Sequence, residues 1–224
     1  MNLYEIHSHT SEVSACSNVT SKELVFNHKK NNFKGVCITD HYYKGFFDNF
    51  YGRDNKFIVE RFLNGYKMAK NYGEEIGLKV FLGMEIRFTE YNNDYLVYGI
   101  DEKFIYENPN IYNIGLEKFV EYTKNTDILI VWAHPFRNQI TMRDSKYFEA
   151  IESYNGNVRH DSRNYLANEY KEKYNLIGTC GSDYHRTEDI YKASMDFNYE
   201  INNEKQLVKA IRNRQFKHSI NKGE

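Results

Sequence analysis

Five short stretches carry side chains able to bind metal ions: HSH (His7, His9), TDH (Asp40, His41), GMEI (Glu85), AHP (His134) and GSDYH (Asp183, His185). An HxH pair in extended chain turns both imidazoles to the same side, which suits joint ligation, although two surface histidines are spelled identically. TDH also fits a turn in which Asp40 caps backbone amides, and AHP also fits a core histidine ahead of a proline turn. GSDYH again pairs an acid with an imidazole and is the second strong signal. The set says more than its members, because each stretch ends or follows an apolar run. Imidazole and carboxylate donors without cysteine suit zinc, manganese or iron. They outnumber the ligands of one tetrahedral ion, so a centre of two or three divalent ions is expected. Such a centre clamps phosphoryl oxygens and activates water near neutral pH.

The elements that must position these residues are legible as alternating runs. Strands are expected at Leu3 to Ile6, Gly35 to Thr39, Val80 to Ile86, Tyr95 to Ile100, Ile128 to Ala133, Phe148 to Ser153 and Leu176 to Cys180. Helices are expected at Thr20 to Lys30, with a Thr20/Glu23 capping box, and at Phe57 to Tyr72, Leu116 to Lys124, Asp161 to Tyr174 and Glu204 to Arg214. Strands alternating with helices predict an α/β fold with a largely parallel sheet, either open or closed into a barrel. The link from Glu90 to Asp94 is too short for a helix, so the third and fourth strands are expected to form a hairpin. In a parallel barrel all carboxyl ends of strands share one face, which would gather the five stretches.

The 224 residues are expected to form one domain, since no linker or repeat interrupts them. Thirty basic and 31 acidic residues nearly cancel, which argues against nucleic acid or an anionic membrane as partner. The three cysteines, Cys16, Cys37 and Cys180, are widely spaced and form no CxxC pair. With no leader-like N-terminus and no long apolar segment, a cytoplasmic protein is expected.

In this order, HSH, TDH, GMEI, AHP and GSDYH resemble the PHP family, named for its polymerase and histidinol-phosphatase members, over most of the chain. The resemblance implies a distorted seven-stranded β/α barrel and a trinuclear metal site that hydrolyses phosphate esters. It implies that His7 and His9 bind one ion with Asp183, that Glu85 bridges to a second ion held by His134, and that His41 and His185 hold the third. Glu5 and Asp40 would orient ligating imidazoles from behind. Two positions depart from the family pattern. Ser14 and Ala15 stand where relatives carry a third-site ligand, leaving Glu12 as the nearest carboxylate. The ligand after the bridging Glu85 is also missing, with Asp94 or Asp101 as its replacement.

Arg137, in AHPFR, could pair with phosphate oxygens. Arg159 and His160 follow the sixth strand with Asn155, and His160 could contact substrate or give a proton to the leaving oxygen. His28 and His218 read as ordinary surface residues. The leading expectation is a small-molecule phosphomonoesterase of histidinol-phosphatase type, acting through a metal-activated hydroxide without a protein nucleophile. A nuclease or phosphodiesterase, a non-catalytic metal-binding module, and a carbon–nitrogen hydrolase are the alternatives.

Overall fold

The computed structural model describes residues 1–221. Ten strands form one strongly curved sheet: β1 (Leu3–Ser8), β2 (Gly35–Ile38), β3 (His41–Tyr43), β4 (Lys79–Arg87), β5 (Asp94–Tyr98), β6 (Leu129–Trp132), β7 (Ala150–Asn155), β8 (Ile177–Gly181), β9 (Ala193–Phe197) and β10 (Phe216–Ile220). Their order is β10-β9-β1-β2-β4-β5-β6-β7-β8, with β3 beside the end of β4. The path closes on itself where Ser8, at the end of β1, bridges Tyr184, just past β8, so the strands from β1 to β8 make a nearly closed barrel and β9 and β10 extend the sheet beyond β1. Gly181 permits this approach, because a Cβ there would lie 2.5 Å from the Cβ of His7.

All seven expected strands are present, and three more complete the count. β3 has only three residues. β9 and β10 are antiparallel additions beside β1 whose sequences, ASMDF and FKHSI, mix polar with apolar residues and give no buried-strand signal. β4 and β5 do form an antiparallel hairpin, with Arg87 opposite Asp94.

Around the sheet lie α1 (Ser21–Lys30), α2 (Lys44–Asp48), α3 (Asn55–Ile76), α4 (Glu102–Glu107), α5 (Leu116–Thr123), α6 (Asn164–Tyr174) and α7 (Glu204–Arg212). The Thr20/Glu23 capping box is present at the start of α1. Period-two alternation divides the core in two. Val80, Leu82, Met84 and Ile86 of β4 pack outward with residues of α1 and α3, while Phe81 joins an inner cluster with Leu96, Leu129 and Val131. Leu207, Val208 and Ile211 of α7 belong to that inner cluster. Glu85 shares its strand face with Phe81, so the alternation that builds the core also aims Glu85 into the barrel.

His28 corrects the expectation of a surface residue. It is fully buried against Phe33 and Tyr184, and its Nδ1–H donates to the Leu24 carbonyl at 2.8 Å. His218, in β10, is partly buried and its Nε2 donates to the Gly178 carbonyl at 2.8 Å. Burial pushes the His28 imidazole down from 6.5 to about 4. Between those values the unfolded chain binds the extra proton, so this residue makes stability fall as pH drops from 6.5 to 4, by about 3 kcal/mol in total. Urea titrations in chelator at pH 7, 5 and 4 should show a shallower acid loss for His28→Leu than for the wild type. Parallel losses would refute the assignment.

Candidate metal centre

The carboxyl ends of β1, β2, β4, β6 and β8 bring His7, His9, His41, Glu85, His134, Asp183 and His185 together. Four overlapping triads have ligand atoms within 4.8 Å of one another: His9/His41/His185, His7/His9/Glu85, His7/His134/Asp183 and Glu85/Asp94/His134. Asp94 belongs to this group although it begins its strand. Because β5 runs antiparallel to β4, its first residue lies at the carboxyl end of β4. Asp101, the rival position, caps α4 by accepting from Phe104 N–H.

Glu85 sits at the middle with its oxygens divided. Oε1 is 2.8 Å from His134 Nε2 and 3.5 Å from His7 Nε2, while Oε2 is 2.9 Å from His41 Nδ1 and 3.3 Å from His9 Nε2. That is the disposition of a bridging carboxylate. Asp183 points Oδ1 at His7 and His9, each 3.4 Å away, and its Oδ2 accepts from Arg137 at 2.6 Å. Both His134 (φ 27°) and Asp183 (φ 54°) hold left-handed backbone, which disfavours side chains and is tolerated where the surroundings fix it.

The hydrogen bonds behind the imidazoles set which nitrogen faces inward. His7 Nδ1–H donates to Glu152 Oε1 at 2.8 Å, turning its Nε2 lone pair to the centre. Ser14 Oγ–H donates to Asp40 at 2.7 Å, so its oxygen accepts from His9 Nδ1–H at 3.3 Å, again leaving Nε2 inward. His185 Nδ1–H donates to the Asp183 carbonyl at 2.7 Å. His7 Nε2, His9 Nε2 and Glu85 Oε2 are buried without a hydrogen-bond partner. Buried polar atoms are normally satisfied, so three orphans aimed at one point fit a cation there.

The electrostatics agree. Burial lowers His7, but Glu152, Asp183 and Glu85 outweigh it and raise its pKa well above the usual value. Burial lowers His9, and the neighbouring His185 and His41 lower it further. Burial alone would raise Glu85, yet His41 and His7 hold it well below the ordinary carboxylate range.

Several expectations need correction. Glu12 lies outside the cluster, at the N-terminus of α1, where its carboxylate accepts from Ser21 N–H at 3.0 Å and Ser21 Oγ–H at 2.8 Å. A helix start offers unpaired amides to such a group. The side chain that faces His185 from this loop is Cys16, whose Sγ is 3.1 Å from His185 Nε2. Burial raises the Cys16 thiol, but His185 and His41 outweigh that and bring it down to about 6. Glu5 does not touch an imidazole; it accepts from His7 N–H and from Ser182, fixing β1 to the segment after β8. Asp40 bonds Thr10 and Ser14 and reaches His9 only through Ser14. The acid that does orient His7 is Glu152, which also accepts from His134 N–H at 2.8 Å. Its signal was a buried-strand acid within FEAIES. Glu152→Ala is expected to weaken metal affinity roughly ten- to a hundredfold, by competition with a chromogenic chelator, while Glu12→Gln leaves it unchanged.

A cleft of about 640 Å³ opens over the cluster, lined by Cys16, His41, Glu85, Asp94, His134, Asp183 and His185 and by Arg87, Arg137, Arg159 and Arg186. Arg137 is anchored by Asp183, Asn155 and Ser162. Arg159 makes a two-pronged bond to Asp189, which in turn accepts from His185 N–H. His160 lies exposed on the rim; partial burial lowers its pKa, and Arg137 lowers it further.

Among solved structures, the chain is similar to PsfC from Pseudomonas syringae PB-5123, at 16% identity and TM-score 0.68, covering 99% of this chain and 93% of that one. It is also similar to a two-domain protein from Bacteroides vulgatus containing a predicted PHP-like metal-dependent phosphoesterase, at 14% identity and TM-score 0.69, covering 98% of this chain and 64% of that one. An amidohydrolase from Chromobacterium violaceum with bound sulfate matches at 13% identity and TM-score 0.52, over 81% of this chain and 87% of that one. No curated protein matches the sequence. The PHP domain model matches residues 5–217, a span holding every candidate ligand, and the chain therefore belongs to the PHP domain family.

Proposed function

We propose that this protein is a metal-dependent phosphomonoesterase of histidinol-phosphatase type, acting on a small molecule at a centre of two or three divalent ions. The observation that supports this most is the single cleft in which four arginines ring the carboxylate-imidazole cluster. Guanidinium groups match phosphate oxygens in geometry and charge, and the volume suits a small ligand. His7, His9, His41, Glu85, Asp94, His134, Asp183 and His185 would hold the ions. Zinc, manganese or iron there would supply Lewis acidity for the phosphoryl group and lower the pKa of water.

The remaining work falls to the chain itself. Arg137, held by Asp183 and Asn155, positions a phosphate oxygen beside the cluster. Arg159 steadies Asp189 and, through it, the backbone of His185 while facing the same cleft. His160, at the rim of the cleft, is placed to contact the leaving group of the substrate. Three unpaired thiols are consistent with a reducing compartment, and among the described residues no helix is long and apolar enough to cross a membrane.

Hydrolysis of an aryl phosphate, a small alkyl phosphate, an oligonucleotide and an N-acyl amino acid by protein loaded with Mn²⁺ or Zn²⁺ separates the readings. Release of phosphate from the monoesters is expected. Turnover confined to the oligonucleotide would make the protein a nuclease, and turnover confined to the amide would make it a carbon–nitrogen hydrolase.

A further inference from the structure

We infer that Cys16 is a thiolate ligand to the ion held by His9, His41 and His185, making that part of the centre a mixed imidazole–sulfur site. This rests on the metal-centre reading above and adds one donor to it. The three imidazoles present ligand atoms within 4.8 Å of one another, with ring centroids 4.4 Å apart for His9 and His41 and 4.3 Å for His9 and His185. Three nitrogen donors leave a tetrahedral ion one ligand short. Cys16 Sγ lies 3.1 Å from His185 Nε2, on the nitrogen whose lone pair is free because Nδ1–H is committed to the Asp183 carbonyl.

A second, independent observation is His9 Nε2. It is completely buried, lacks a hydrogen-bond partner, and belongs to the same triad, its ring lying between those of His41 and His185. Two other oxygen donors of the HSHTSEVSAC segment are spent elsewhere: the Glu12 carboxylate caps α1, and the Ser14 hydroxyl bridges Asp40 to His9. Cys16 also lines both clefts that open on Glu85 and His41, so the thiol is within reach of an entering ion. Binding replaces the S–H bond by a sulfur–metal bond and releases the proton to solvent. A thiolate among imidazoles favours zinc over manganese at this position.

The test uses the full chain loaded with Co²⁺. The wild type should show a near-ultraviolet sulfur-to-cobalt charge-transfer band. Cys16→Ser should abolish the band and weaken the ion of this site on the order of a hundredfold, and Cys16→Asp should restore binding without the band. Cys16 should also resist alkylation once the ions are bound. A cobalt-loaded wild type without the band, with ion content unchanged in Cys16→Ser, would overturn the thiolate while leaving the metal centre intact. Failure of the wild type to bind Co²⁺, Zn²⁺ or Mn²⁺ at all would instead remove the centre itself.

Discussion

Glu85→Gln is expected to lower kcat/KM for a phosphomonoester by about a thousandfold, the several kcal/mol of transition-state stabilisation that bound ions supply. The substitution keeps the shape and removes the charge. One Glu85 oxygen faces His134 and His7 and the other faces His41 and His9, so this one carboxylate links four imidazoles of the cluster. Glutamine offers one acceptor oxygen and an NH2 group with two N–H donors, and that group would point at a cation. Metal content per chain should fall by at least one ion. The loss should appear in kcat rather than KM, because the proposed phosphate-binding residues, Arg137 and Arg159, are left in place. A variant with near-normal kcat and full metal content would remove Glu85 from the centre.

Chelation should destabilise the protein by a comparably large amount. Glu85, Asp94 and Asp183 are buried, and their charges are met by imidazoles and by Arg87 and Arg137. An ion that binds only the folded chain adds about 4 kcal/mol per site at a thousandfold excess over its dissociation constant. For a chain of this length each kcal/mol moves Tm by roughly 2–4 °C, so each site filled by adding Mn²⁺ or Zn²⁺ after EDTA should raise Tm by roughly 10 °C. His9 takes part in two of the four triads, and His9→Ala should lose most of that rise. Equal rises in wild type and variant would place the stabilising ion elsewhere.

Much of this centre was legible because the sequence repeats one arrangement: an apolar strand, then an imidazole or acid. Parallel strands buried on both faces read as continuous apolar runs, which is why the segments ending near His9, Glu85, His134 and Asp183 stood out. β9 and β10 escaped because antiparallel strands of mixed polarity lack that signature. The short link from Glu90 to Asp94 implied a hairpin, and the antiparallel course of β5 puts Asp94, at the start of its strand, on the face where β4 ends. Strand direction is a property of the assembled sheet and is not written in the alternation of residues.

The roles of nearby polar residues were less legible for a related reason. Glu12 and Cys16 lie four residues apart in one loop, and only its folded path decides that the acid meets the Ser21 amide while the thiol meets His185. Glu5 and Glu152 are both acids in buried strands, yet Glu5 bonds backbone amides and Glu152 bonds the His7 ring. His28 misled because α1 has a modest apolar face, and its burial comes from Phe33 and Tyr184 beyond the helix.

The central claim is that these side chains form a multinuclear metal centre. A crystal of the metal-loaded protein, with data collected on both sides of the metal absorption edge, tests it directly. Two or three anomalous peaks are predicted, with Glu85 between them and one peak within bonding distance of His9, His41 and His185. Complete loading followed by no anomalous density among these residues would contradict the account.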